Sequence, residues 1–225
     1  MGLFDASTII YKLLAVPGII FAFSFKGLAQ SYVSKKLGDP TPEAQGRLTL
    51  NPLAHIDIIG FICMIIFGFG WGKPMPTNSR FYKNVKRDRA IFCLSGPVGL
   101  IVASFGLTGL AALLSAIFSK LGLYNSVISA IWMIFYYAAL YPLYLATFYL
   151  LPLPGLDGYN LVTNFLPYSC NEVLYKIERY SMFIFLGFIL LCDFTNLADY
   201  IYAPSGWLFS IFNSLWSGLW GIIIR

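Results

Sequence analysis

The chain has 225 residues, of which 58% are hydrophobic and 11% charged, with a formal net charge of +5. Soluble globular domains carry about 25% charged residues, so the composition excludes an ordinary soluble enzyme or binding module. Loop lysines and arginines of this kind set membrane orientation, and the positive balance carries no nucleic-acid reading.

Apolar runs of about eighteen residues or more recur along the chain, the pattern of an all-α polytopic membrane protein. Spans are expected near 7–34, 53–71, 90–119, 125–151, 180–203 and 206–224. No hydrophilic stretch is long enough to fold separately, so residues 1–225 read as one membrane domain. The first run does not read as a cleavable signal: Asp5 precedes it, Lys26 interrupts it, and no small-residue cleavage site follows. An ammonium at membrane depth costs from about 2.5 kcal/mol upward, so Lys26 calls for a partner.

Loop 35–52 is basic through Lys35, Lys36 and Arg47, and loop 73–89 carries Lys73, Arg80, Lys83, Lys86, Arg87 and Arg89 against Asp88 alone. The second loop reads as cytoplasmic. If both loops face the cytoplasm, the apolar stretch between them dips into the membrane instead of crossing it. Pro152, Pro154 and Gly155 end the span near 151, and the backbone groups they free are tolerated only inside protein or along a wet cavity. Asp193 and Asp199 shorten the clean apolar part of 180–203, which allows a partial or re-entrant element. In 206–224, Ser210, Asn213, Ser214 and Ser217 recur at helical spacing and are expected to form a packing face. Trp207, Trp216 and Trp220 are alternative interface anchors. The four cysteines, Cys63, Cys93, Cys170 and Cys192, form no C-x-x-C pair and read as free thiols.

Three polar or proline-rich stretches stand out: "KKLGDPTPEAQGRLTLNPLAHIDIIG" (35–60), "WGKPMPTNSRFY" (71–82) followed by "LSGPVGL", and "FYLLPLPGLDGYN" (148–160). In order and content, from about residue 20 to 165, they resemble the compact bacterial branch of the site-2 proteases, intramembrane zinc metalloproteases of the M50 family. The resemblance implies a bundle of about five or six transmembrane helices in a bacterial plasma membrane, a core at 20–165, and further helices at 166–225. It places the family's first zinc histidine at Lys26, its general-base glutamate at Gly27 and its second histidine at Gln30, and it retains the third zinc ligand as Asp157. Tyr149 and Leu100 stand where the family pattern has asparagines.

Chemistry supports the same conclusion about the metal. Two histidines four apart share a helical face and can hold a zinc whose water an adjacent glutamate activates. A lysine repels a dication, glutamine is a weak donor, and glycine has no side chain. His55 is the chain's one histidine and is expected to be a hydrogen-bonded structural residue. No metal and no cofactor are therefore expected, and no enzymatic activity. In the family fold positions 26 and 157 converge, so a Lys26–Asp157 ion pair aided by Gln30 is expected in place of the metal. The alternative has Lys26 snorkelling to an interface and Asp157 capping a helix that begins near Gly158. The turn of Pro152, Pro154, Gly155 and Asp157 is expected to border a binding groove. The functional expectation is a pseudoprotease that binds or regulates transmembrane segments of other membrane proteins. Two alternatives stay open: a structural subunit of a larger membrane assembly, and an M50 metalloprotease that uses ligands from a second chain or Lys26 itself.

Overall fold

The computed structural model describes residues 6–67, 69–123 and 125–224. The first apolar run forms α1, Ala6–Lys36, which carries Lys26 in its second half. Two single-turn helices follow: α2, Thr41–Ala44, and α3, Pro52–His55, each with a proline in its first turn. The loop between α1 and α2 is tied down by Asp39, which is fully buried. Its carboxylate accepts hydrogen bonds from Ser34 Oγ (3.1 Å), the Thr41 amide (2.9 Å) and the Asn78 amide (2.9 Å).

The stretch 53–71 holds an apolar helix too short to cross a bilayer by itself. Its helix α4, Ile58–Phe67, has ten residues and so spans about 15 Å, half of a bilayer core. Lys12 Nζ donates to the Ile66 carbonyl at its end (2.8 Å). The chain then turns back, so that Ile56 pairs with Gly72 in an isolated bridge and the Lys73 amide donates to the His55 carbonyl (2.7 Å). Loops 37–57 and 73–84 therefore lie at the same end.

Helix α5, Val85–Lys120, and helix α6, Ser126–Tyr149, are long and apolar enough to cross a bilayer, as is Lys12–Lys36 of α1. These three pack together through small and branched side chains, among them Ala15, Ile19, Ala22, Leu100, Leu145 and Ala146. Ser104 Oγ of α5 donates to the Ala139 carbonyl of α6 (2.6 Å). After the proline turn come α7, Asp157–Thr163, and α8, Asn171–Arg179. They are followed by α9, Ser181–Phe194, and α10, Leu197–Ile223. The protein is a multi-pass, all-α membrane protein.

The spans differ from expectation in two respects. Three described helices are long enough to cross, or four if α9 and α10, bent by 84°, make one broken span, fewer than five or six. The break between the last two falls at Thr195–Asn196, not after residue 203. Thr195 adopts an extended backbone and its Oγ1 accepts from the Leu197 amide (3.3 Å), which starts a new helix there, while Pro204 is carried inside α10.

The last helix also turns a different face inward. Ser210, Asn213, Ser214 and Ser217 are exposed, so they are not the packing stripe. Trp216 and Trp220 pack instead, stacked at 5.9 Å, and donate to the Phe105 and Gly109 carbonyls of α5 (3.0 and 2.9 Å). Gly109 makes the room: a Cβ there would lie 2.7 Å from the Trp216 ring.

Candidate functional site

Lys26 lies ten residues before the end of α1, about 15 Å below it, on the face turned toward α6 and α7. Helix α6 ends at Tyr149, and the turn through Pro152, Pro154 and Gly155 reverses the chain. Gly155 takes a φ of +91°, a left-handed conformation open to glycine. Asp157 is then delivered as the first residue of α7, whose N-cap, Leu156, offers no side-chain cap. Lys26 Nζ stands 2.9 Å from Asp157 Oδ2 and donates to Gln30 Oε1 at 3.0 Å, and Gln30 Nε2 donates to Asp157 Oδ1 at 2.9 Å. Lys26 and Asp157 are each 8% exposed and Gln30 3%. Gly96 of α5 backs the group: a Cβ there would come within 3.0 Å of Gln30 Nε2 and 3.2 Å of Asp157 Oδ2.

A fourth side chain completes the arrangement. The Tyr149 ring centroid lies 3.8 Å from Lys26 Nζ, a cation–π contact, and the Tyr149 hydroxyl accepts from the Gly72 amide (2.8 Å). The ammonium's three N–H donors thus meet an amide oxygen, a carboxylate oxygen and an aromatic face. In the sequence Tyr149 registers only as a departure from the family's asparagine; its signal was that it departs together with Lys26.

Gly27 and His55 form a second contact. A Cβ on Gly27 would run into the His55 ring at Nδ1, Cγ and Cε1, so the imidazole occupies the space a side chain at position 27 would need. His55 is 3% exposed, and its Nε2 lies 2.7 Å from the Thr49 carbonyl, which requires that nitrogen to donate. Burial pushes its pKa down; the Thr49 hydrogen bond opposes this, and the nearby cations Arg47, Lys26 and Lys73 add to the depression. His55 does not reach the Lys26–Asp157 group. Leu100 is fully buried in the apolar core.

A cavity of about 330 Å³ opens beside the group. Lys26, Gln30, Tyr149 and Asp157 form its polar wall; Trp71, Met75, Phe92, Met182 and Phe185 form its apolar walls; Pro154 and Gly155 stand at its edge, while Pro152 is not among its lining residues.

No family model matches the chain, and no solved structure does. Among curated proteins, the Putative zinc metalloprotease YwhC of Bacillus subtilis is 34% identical over 187 residues, covering 83% of this chain and 82% of YwhC. The chain belongs to the site-2 protease family. The Putative zinc metalloprotease Rip2 of Mycolicibacterium smegmatis is 22% identical over 222 residues, 91% of this chain and 82% of Rip2. Both relatives are bacterial, in keeping with a multi-pass membrane protein of this family.

These relatives correct one expectation. No enzymatic activity is expected from the sequence, yet both relatives carry the names of zinc metalloproteases, which points to an enzyme. The expectation read activity from three side chains of one chain, and the class of the site-2 protease family is set by more than those three. The fit to zinc is a separate matter. Catalytic zinc takes three protein donors, and here an ammonium stands 2.9 Å from the one carboxylate. Among the described residues no three His, Cys, Asp or Glu side chains converge on a metal. The side chains at this site do not fit zinc, and no chemical step is derived through it.

Proposed function

We propose that this site-2 protease family protein receives a transmembrane segment of a partner protein in the cavity beside Lys26 and Asp157. In this proposal the Lys26–Gln30–Asp157 group takes over the structural task that the family gives to zinc, joining α1 to α7. The single observation that carries the proposal is the buried Lys26–Asp157 pair on the wall of a 330 Å³ cavity. A lone charge of either sign is expensive at that depth, whereas a pair with every donor matched can be retained. The wall it belongs to is bordered by the irregular backbone of 71–75 and 154–156. Irregular backbone at membrane depth persists where it is buried in protein or lines a cavity, and a partner segment entering there would find both apolar contacts and backbone groups.

A second reading rests on the relatives' names: hydrolysis of the bound segment, with metal donors completed by another chain. Photo-crosslinking in native membranes tests the binding proposal. A crosslinker at Met182, which lines the cavity, should capture transmembrane segments of other proteins, whereas one at Ile222, exposed on α10, should not. Equal capture from the two positions would overturn the proposal, and a partner in fixed ratio at Ile222 alone would indicate a structural subunit. Stoichiometric zinc together with cleaved segments would establish the second reading.

A further inference from the structure

The segment 79–89 holds a charge arrangement that its own fold does not explain. Arg80, Lys83, Lys86, Arg87 and Arg89 are all exposed, and among the described residues none of the five is paired with a carboxylate. Lys86, Arg87 and Arg89 lie in the first turns of α5, where the helix dipole disfavours cations. Asp88, the acid among them, is committed elsewhere. It is buried, and its Oδ2 accepts from the Asn84 amide (3.0 Å), while Asn84 Oδ1 accepts from the Arg87 amide (3.2 Å). This reciprocal cap satisfies the helix end and leaves the five cations facing outward.

Helix α5 has 36 residues, and about 20 suffice to cross a bilayer, so it outreaches the hydrocarbon core, and the exposed cations of its first turns favour the headgroup level for that end. Phe81, half exposed in a 3-10 turn just ahead of α5, places an apolar ring beside the cations. Five unpaired cations at headgroup depth with an exposed ring among them match an anionic lipid surface. We propose that segment 79–89 binds the phosphate-bearing headgroups of anionic phospholipids.

Retained lipid can be counted by mass spectrometry after purification from nanodiscs of phosphatidylglycerol or phosphatidylcholine. The wild-type chain should hold phosphatidylglycerol preferentially and melt at a higher temperature in it. Changing Arg80, Lys83 and Lys86 to Gln should lower the preference by roughly fivefold per side chain. Lys120→Gln, at the far end of α5, should leave it unchanged. Because the wild-type comparison needs no variant, a misfolded mutant does not remove the test. Equal retention of the two lipids by the wild-type chain would overturn the proposal, as would an undiminished preference in the triple variant. Full stabilisation by inorganic phosphate in phosphatidylcholine discs would assign the surface to small anions and overturn the lipid assignment.

Discussion

The two ends of the chain solve the same problem with different chemistry. Around Lys26, α1, α6 and α7 are joined by buried charge, with an ion pair, a hydrogen bond and a ring face on one ammonium and a second hydrogen bond from Gln30 to Asp157. Around Trp216, α5 and α10 are joined without charge, by indoles stacked in the slot at Gly109 and two N–H donors to backbone carbonyls. Lipid tails are as apolar as leucine, so helices in a bilayer gain little from hydrophobic burial and associate through packing and hydrogen bonds. The charged joint has the larger penalty for being half broken. The aromatic joint loses only the contacts removed.

That contrast predicts the largest effect at Lys26. Lys26→Ala leaves Asp157 buried without its cation, and Asp157→Ala does the reverse; either should cost roughly 3–5 kcal/mol in reversible unfolding in detergent. Replacing both together, with Lys26→Met and Asp157→Leu, removes the stranded charge and should recover most of the loss. If the double variant is as unstable as the singles, charge pairing is not what joins α1 to α7.

Gly27 breaks the comparison in another way, through space instead of charge. Gly27→Ala drives a methyl group into the His55 ring, and overpacking of this kind costs about 1–3 kcal/mol. His55→Ala in the same chain should relieve part of that cost, so the two changes should be markedly non-additive in a double-mutant cycle. Additive losses would show that the ring moves aside freely.

The aromatic joint should yield less. Trp216→Phe keeps a ring near Gly109 and loses one donor to the Phe105 carbonyl; interhelical hydrogen bonds of this kind in membranes average about 0.6 kcal/mol. Thermal melting should shift slightly, and the crosslinking pattern at Met182 should stay as it is. A loss comparable to that of Lys26→Ala would place α10 in the same cooperative unit as the charged site.

Much of the helical framework was readable from hydropathy, because a span must be apolar over most of its length. The return of the chain between Ile56 and Gly72 was readable conditionally, from the basic loops on both sides of the apolar stretch. The boundary between α9 and α10 falls at Thr195, not after residue 203, because the extended threonine's Oγ1 takes the Leu197 amide, while proline is tolerated inside a membrane helix. The Trp216 face was misread because polar spacing was taken for the packing side, whereas the slot at Gly109 lies on another helix. At the site, Gln30 and Asp157 are 127 positions apart, a distance no periodicity spans; the family pattern brought them together. The contacts of Tyr149 with Lys26 and of Gly27 with His55 belong to tertiary packing, which composition and spacing do not carry.

His55 adds the mildest prediction, and it concerns pH. Burial lowers the pKa of its imidazole below the ordinary 6.5, the Thr49 carbonyl offsets this in part, and Arg47, Lys26 and Lys73 reinforce the lowering. A histidine depressed in the folded state binds a proton in the unfolded chain first. The unfolded state therefore carries more protons between the folded value and about 6.5, and stability rises with pH across that window. It should be fully present above about pH 6.5 and decline as the pH falls below it. Unfolding of the wild-type chain in detergent at pH 7.5 and 5.5 should show that decline, and His55→Gln, which keeps an amide donor toward Thr49 without titrating, should flatten it. An equal decline in the variant would sink the assignment to His55, and Asp39 would not be its source. Burial raises the pKa of Asp39, but hydrogen bonds from Thr41, Asn78 and Ser34 outweigh that and hold it below the ordinary carboxylate value. Its contribution is thus lost only at lower pH, beneath the histidine window, so the two groups can be told apart by where the decline begins.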